Sequence, residues 1–334
     1  MKSQFYASLF WGPLLALAVS ASAAGMSRDS GNAARTALNH GQADEALRLL
    51  NSALEENASD AEALNLRCRV LLTEHRWDDA IASCERSVQT APANSSYHMW
   101  LGRAYGEKAD RVSFVTAYKM AKLIRAEFET AVSLDPHNAE ALSDLGQYYV
   151  EAPAILGGGT AKAEALAAQL DGLAPERAHE LRARIAEQKK DYATAEKEFR
   201  AKISSSSHSS AQTFAQSWMD LGSFYRRRGR FDEMQAALQS GAIAASDHGS
   251  ALADGASTLV HAGRSPELAE EWMQQYLDGN ALSEEAPAFV VRTQLGDLYK
   301  SQGNAQRAER EYAQARALAS DFTGAQQSKT NTDR

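Results

Sequence analysis

The chain has 334 residues, a formal net charge of −8, 44% hydrophobic residues and only seven prolines. An acidic balance of this size excludes bulk nucleic-acid binding, which needs an excess of cationic groups to displace counterions. Two cysteines and eight scattered histidines form no cluster at metal-ligand spacing, so neither a metal nor a cofactor is implied.

In chain order, Lys2 precedes an uncharged apolar run, Leu9 to Val19, and then Ala21-Ser22-Ala23-Ala24-Gly25. This is the layout of a cleaved export signal, expected over residues 1–24, which would leave the mature chain periplasmic or secreted. The alternative is an uncleaved anchor, because Phe5 to Ala24 is nearly long enough to span a bilayer. Loss of the segment removes Lys2 and takes the net charge from −8 to −9. No later stretch is apolar enough to cross a membrane, so no stable insertion is expected after cleavage.

Beyond the signal, apolar residues recur with helical periodicity and no stretch alternates as a strand would. The fold class is all-α. A motif returns about every 34 residues, the period of a helix–turn–helix unit that cannot bury its own apolar face. A degenerate first copy holds Ala34, Gly41-Gln42, Ala46, Leu50 and Ala53. The second spans Ala61 to Asn94, with Leu64, Val70, Leu71, Trp77, Ala80, Cys84 and Pro92. The third, from Ser95, has Leu101-Gly102-x2-Tyr105 but reaches Ala131 and Pro136 about ten residues late. The fourth, from Ala139, has Leu145-Gly146-x2-Tyr149, then about five extra residues before Ala163, Leu170 and Pro175. The fifth keeps Ala183, Asp191-Tyr192, Ala195 and Phe199. The sixth is the best copy, Trp218-x2-Leu221-Gly222-x2-Tyr225 with Gly229-Arg230-Phe231. The seventh is weak (Leu252, Ala256, Gly263, Trp272), and the eighth has Leu295-Gly296-x2-Tyr299, Ala308, Tyr312 and Ala315. Small residues at Gly102, Gly146, Gly222 and Gly296, and at Ala80, Ala163, Ala195 and Ala308, let paired helices approach closely.

These residues resemble the tetratricopeptide repeat (TPR) family, over roughly Ser27 to Phe322. The resemblance implies a right-handed α-solenoid of about eight stacked repeats. The organisation expected is a signal at 1–24, repeats one to five at 25–208, repeats six to eight at 209–322, and a disordered tail at 323–334. Ser204 to Ser210 reads as a flexible joint between the two blocks. The run from Lys119 through Phe128 to Pro136, followed by Ala152-Pro153-x3-Gly157-Gly158-Gly159, is similar to a group of uncharacterised exported bacterial TPR proteins. It is more distantly similar to the TPR domain of the regulator-of-microtubule-dynamics family.

Family behaviour implies that the first helix of each repeat lines a concave groove. Its ninth position is arginine at Arg35, Arg69, Arg103 and Arg184, and Arg226 and Arg227 add charge in repeat six. Stacked guanidinium groups would suit carboxylates or phosphates. The alternative is ordinary pairing with Glu62, Glu107, Glu140 or Glu187. Asparagines that accompany groove cations in carboxylate-clamp TPR domains are mostly missing; only Asn65 is similar.

The two long repeats place their excess on one edge. Phe114, Tyr118, Ala121 and Phe128 share a helical face, so the second helix of repeat three is expected to extend backwards by about two to three turns. Lys119 and Lys122 make this segment basic. Gly157-Gly158-Gly159 with Lys162 would serve as an anion cradle at a helix start; the alternative is a structural turn, with Thr160 capping the next helix. Cys68 and Cys84 face each other across one helix pair, and two readings stay open: a disulfide, or two small buried residues.

No H-E-x-x-H, G-x-S-x-G or P-loop spacing occurs, so the chain is not expected to be an enzyme. The leading expectation is a scaffold that binds a peptide or protein partner in the cell envelope through its groove. The second is a carrier of a small acidic or lipid-like ligand beneath the insertions of repeats three and four.

Overall fold

The computed structural model describes Met26 and residues 28–324. Both the signal reading over 1–24 and the tail from 325 onward lie outside the described residues. The described chain is helical throughout, with helices α1 (Arg28–Asn39) and α2 (Ala43–Glu56), α3 (Ala61–Thr73) and α4 (Trp77–Thr90), and α5 (Ser95–Ala109) and α6 (Phe114–Leu134). Then come α7 (Ala139–Glu151) and α8 (Thr160–Leu170), α9 (Pro175–Gln188) and α10 (Tyr192–Ser206), and α11 (Ala211–Arg227) and α12 (Phe231–Ala244). The last pairs are α13 (Ser250–Ala262) with α14 (Pro266–Asp278), and α15 (Ala288–Ser301) with α16 (Ala305–Leu318).

Local chemistry sets these boundaries. Asp60, Asn94 and Asn138 each precede a first helix and accept a hydrogen bond from the backbone N–H three residues on, at 2.9, 3.2 and 3.0 Å. Such caps satisfy donors that the first turn leaves unpaired. Within a repeat the motif glycines admit the partner helix: a Cβ on Gly296 would lie 2.5 Å from the Tyr312 ring. The sixteen helices stack as eight hairpins, each packing on the next in chain order.

The long second helix of repeat three is present. Helix α6 has 21 residues against 14 in α4, a gain of two turns, and buries Met120, Ile124, Phe128 and Ala131. Phe114 does not share that buried face; it is 84% exposed at the overhanging end. Thr160 is not a cap either. It is the first helical residue of α8, and Gly159 occupies the N-cap without a side-chain bond.

The serine run is a second departure. Ser204 to Ser206 continue α10, with their hydroxyls bonded to the carbonyls of Arg200, Lys202 and Ile203 at 3.2, 2.9 and 3.1 Å. Serine tolerates a helix when its hydroxyl bonds back to the preceding turn in this way. Ser206 is fully buried and bonds the Ser217 hydroxyl at 2.9 Å. One apolar core runs from Ala183 to Tyr312 straight across this segment, so no loose joint separates repeats five and six.

Sequence reading gives no hint of the largest feature: the solenoid closes on itself. Phe289, Ala315, Ala319 and Phe322 of the last repeat share one apolar cluster with Leu38, Leu50, Leu66 and Val70 of the first two. Phe322 packs edge-on against Phe289 at 4.9 Å and against His75 at 5.2 Å between ring centres. Around these rings, Arg76 pairs with Asp321 at 2.8 Å and the Asp44 carboxylate accepts from the Ser320 N–H at 3.1 Å. Gly41, at φ 64°, lets the first turn meet Ala288, whose N would lie 2.4 Å from an added Cβ. Glu74 is sealed at this seam. Burial pushes its pKa up to about 7, Asp44 and Asp321 act in the same direction, and Arg76 opposes them.

The Sγ atoms of Cys68 on α3 and Cys84 on α4 lie 2.12 Å apart, with Cα atoms at 5.3 Å and a sequence separation of 16. A cross-link over a loop of this length restricts the unfolded chain by about 3 kcal/mol. Cys68→Ser with Cys84→Ser is expected to lower unfolding free energy by about that amount, measured by urea denaturation without reductant. Two titratable thiols in the folded, non-reduced protein would show that the bond does not form.

Candidate functional site

Because first helices stack side by side, periodicity places the same register position of each on the concave wall. Arg35 of α1, Arg69 of α3 and Arg103 of α5 therefore border one cavity of about 720 Å³, with Asn65, Tyr97 and Trp100. The guanidinium groups of Arg69 and Arg103 stack on the Trp100 indole, at 4.7 and 4.6 Å from its centre. Such contacts hold a cation in place while leaving its N–H edges available.

The arginines are not a free cationic column. Arg35 pairs with Glu62, and Arg103 with Asp144 at 2.6 Å and Glu140 at 3.1 Å. Arg69 holds Glu284 bidentately, its Nε donating to Oε2 at 3.1 Å and its Nη2 to Oε1. Arg184 and Arg227 lie outside this cavity and pair with Glu180 and Glu187, each at 2.8 Å. Arg226, in the last turn of α11, lines neither this cavity nor the one beside it. The 720 Å³ cavity is bordered by three arginines and five carboxylates, Glu62, Asp135, Glu140, Glu284 and Glu285. Long-range attraction of a polyacidic ligand is therefore absent, and recognition there has to be local.

Two contributors escape sequence reading. Trp100 looks like one more apolar helix residue. Glu284 and Glu285 lie in the loop between α14 and α15, where the repeat pattern is weakest. Asn65 is 4% exposed, and its Nδ2 has no hydrogen-bond partner although it borders the cavity. A buried donor without an acceptor costs about 1–3 kcal/mol.

Across Glu285 lies a second cavity of about 380 Å³, bordered by Glu180, Lys202, Asp220 and Asp254. Lys202 is 5% exposed and its Nζ bridges Glu180, at 2.6 Å, and Asp220. These three groups come from α9, α10 and α11 and tie repeats five and six together. The neighbouring acids hold the Lys202 pKa up; burial alone would push it down.

On the insertion edge, the glycine loop is packed and not a cradle. The N–H groups of Gly157, Gly158 and Gly159 already donate to Ala154, Pro153 and Tyr149 carbonyls at 2.9, 3.2 and 2.8 Å. A Cβ on Gly158 would lie 1.7 Å from the Ala152 carbonyl oxygen. Lys162 donates to the Gly157 carbonyl at 2.8 Å, and Arg125 of α6 reaches the Leu156 carbonyl at 3.3 Å. The loop thus presents carbonyls to its own cations, and its glycine N–H groups are taken. Lys119 and Lys122 stay exposed on α6, the latter over the Tyr118 ring at 4.7 Å. The structure does not bring them to the glycines. Among the described residues no helix is long and apolar enough to cross a membrane.

Residues 32–95, covering α2 to α4 and most of α1, match the tetratricopeptide repeat family model. Over that stretch the hairpins match tetratricopeptide repeats. Among solved structures, a thermophilic TPR protein of Thermus thermophilus is 22% identical, with a TM-score of 0.46 over 62% of this chain and 99% of its own. A TPR protein of Parabacteroides merdae is 12% identical, with a TM-score of 0.42 over 89% of this chain and 98% of its own. No curated protein matches the chain. A repeat match of this kind suggests a protein-interaction scaffold.

Proposed function

We propose that this TPR protein is a non-catalytic scaffold that holds a peptide or protein partner in its lumen, working in the cell envelope after export. One observation carries the groove assignment: the buried, unpartnered Asn65 amide beside Trp100, Arg69 and Arg103. A peptide offers that corner a carbonyl acceptor for Asn65, an apolar face for Trp100 and an acidic group for the arginines. The envelope location is supported by the apolar segment at the N-terminus and by the paired cysteines, since disulfides persist in oxidising compartments. The carrier alternative is weakened by the glycine loop, whose N–H groups are spent.

A photo-crosslinking residue at Tyr97 in intact cells is expected to give a discrete protein adduct. Arg69→Glu with Arg103→Glu should abolish it while the circular dichroism spectrum stays helical. Undiminished adduct from that folded double variant would overturn the groove assignment.

A further inference from the structure

We propose that Glu284 is a built-in competitor for the groove: it fills, from within the chain, a carboxylate subsite made by Arg69, Asn65 and Trp100. A peptide bearing a carboxylate binds there by taking its place. This inference deepens the groove reading above and rests on it.

The argument starts from a break in the repeat pattern. Arg35 is neutralised by Glu62, the second residue of the next repeat, and Arg103 by Glu140 and Asp144, the second and sixth residues of the next. For Arg69 the equivalent positions, counted from Ser95, are Ser96 and Trp100. Neither carries charge. Arg69 is therefore the groove arginine whose neighbouring repeat supplies no carboxylate, and its counter-ion comes from a loop 215 residues away. Trp100 replaces the missing charge with a flat surface that fixes the guanidinium by stacking.

The exchange needs little rearrangement. The loop backbone is anchored apart from Glu284: the buried Tyr276 hydroxyl donates to the Ala286 carbonyl at 2.7 Å and accepts from the Ser283 N–H at 3.0 Å. Freeing Arg69 requires the Glu284 side chain to turn away. Each of its oxygens accepts from Arg69, and neither is bonded to the Asn65 amide, which stays unmet. A ligand that brings a carboxylate together with a backbone carbonyl satisfies both donors, which Glu284 does not. The surrounding acids make a single carboxylate the fitting group and disfavour an acidic run.

An intramolecular competitor acts at the high effective concentration its tether sets, so its removal reads out directly as affinity. The probe is a fluorescent synthetic peptide of residues 279–287, Gly-Asn-Ala-Leu-Ser-Glu-Glu-Ala-Pro. Glu284→Ala in the full chain is expected to bind it at least about tenfold tighter than the unaltered chain by fluorescence polarisation. Adding Arg69→Gln should remove the gain, and the same peptide with Gln for both Glu residues should not bind. Equal affinity in the unaltered and Glu284→Ala chains, or no binding to a Glu284→Ala chain that melts normally, overturns the competitor. The Tyr97 adduct is scored separately. An adduct without a Glu284 effect refutes the competitor alone; a Glu284 effect without an adduct refutes the cellular partner and leaves the subsite standing.

Discussion

Phe322→Ala is expected to destabilise both ends of the chain at once, although it alters only the last described turn. Truncating a buried Phe costs about 3–5 kcal/mol through lost apolar contact and the cavity left behind. In a solenoid with free ends, that loss would propagate only to the adjoining repeat, because each unit contacts its neighbours alone. Here Phe322 is 3% exposed and shares its cluster with α1, α2 and α3. Hydrogen exchange should therefore accelerate in α1 and α2 as well as α16, while α7 to α9 keep their protection. Water entering the seam should also return Glu74 from about 7 towards the ordinary carboxylate range, since burial is the main cause of its shift. Unchanged exchange in α1 and α2 would show that the ends do not meet in solution.

The closure matters for the groove, because it converts an open concave face into a lumen with an opposite wall. That wall supplies Glu284 and Glu285. An open solenoid would leave Arg69 facing solvent, and the cavity it borders would lack its far side.

What the sequence made legible is what lies within one repeat. Gly296 against Tyr312, Asn138 ahead of α7 and the lengthened α6 all follow from spacing and residue type, because their causes lie within one or two repeats. Phe289 and Phe322 carry no local mark of the seam; nothing in the sequence distinguishes a ring that packs on its own hairpin from one that joins the cluster with α2. The groove arginines illustrate the same limit. Their column was legible and brings Arg35, Arg69 and Arg103 together, but the neutralisation of Arg69 was not, because Glu284 approaches across the lumen. The serine run misled for a different reason. Composition suggested a loose segment, yet Ser206 is buried and hydrogen-bonded to Ser217, and the ion triad of Lys202 braces the same junction.

That triad gives the second large effect. Lys202→Met keeps the side-chain volume and removes the charge, leaving Glu180 and Asp220 facing each other with Arg184 still paired to Glu180. Stranding carboxylates in a site that excludes most water is expected to cost about 3–5 kcal/mol near pH 7. The pH dependence identifies the cause. Burial alone would raise the Glu180 pKa, but the charges of Lys202 and Arg184 and their hydrogen bonds hold it well below the usual carboxylate range. A depressed carboxylate stabilises the native state above its unfolded pKa, and that stability is lost as pH falls through the folded value. The unaltered chain should thus weaken on acidification below the ordinary glutamate range. In Lys202→Met the lysine's share of that lowering is gone while Arg184 keeps its own, and repulsion between Glu180 and Asp220 favours protonation, so acidification relieves the defect. The gap between the two urea midpoints should narrow steadily from near pH 7 to near pH 4. A gap that stays constant with pH would assign the loss to packing of the lysine stem, and a cost under about 1 kcal/mol would mean the triad behaves as a surface pair.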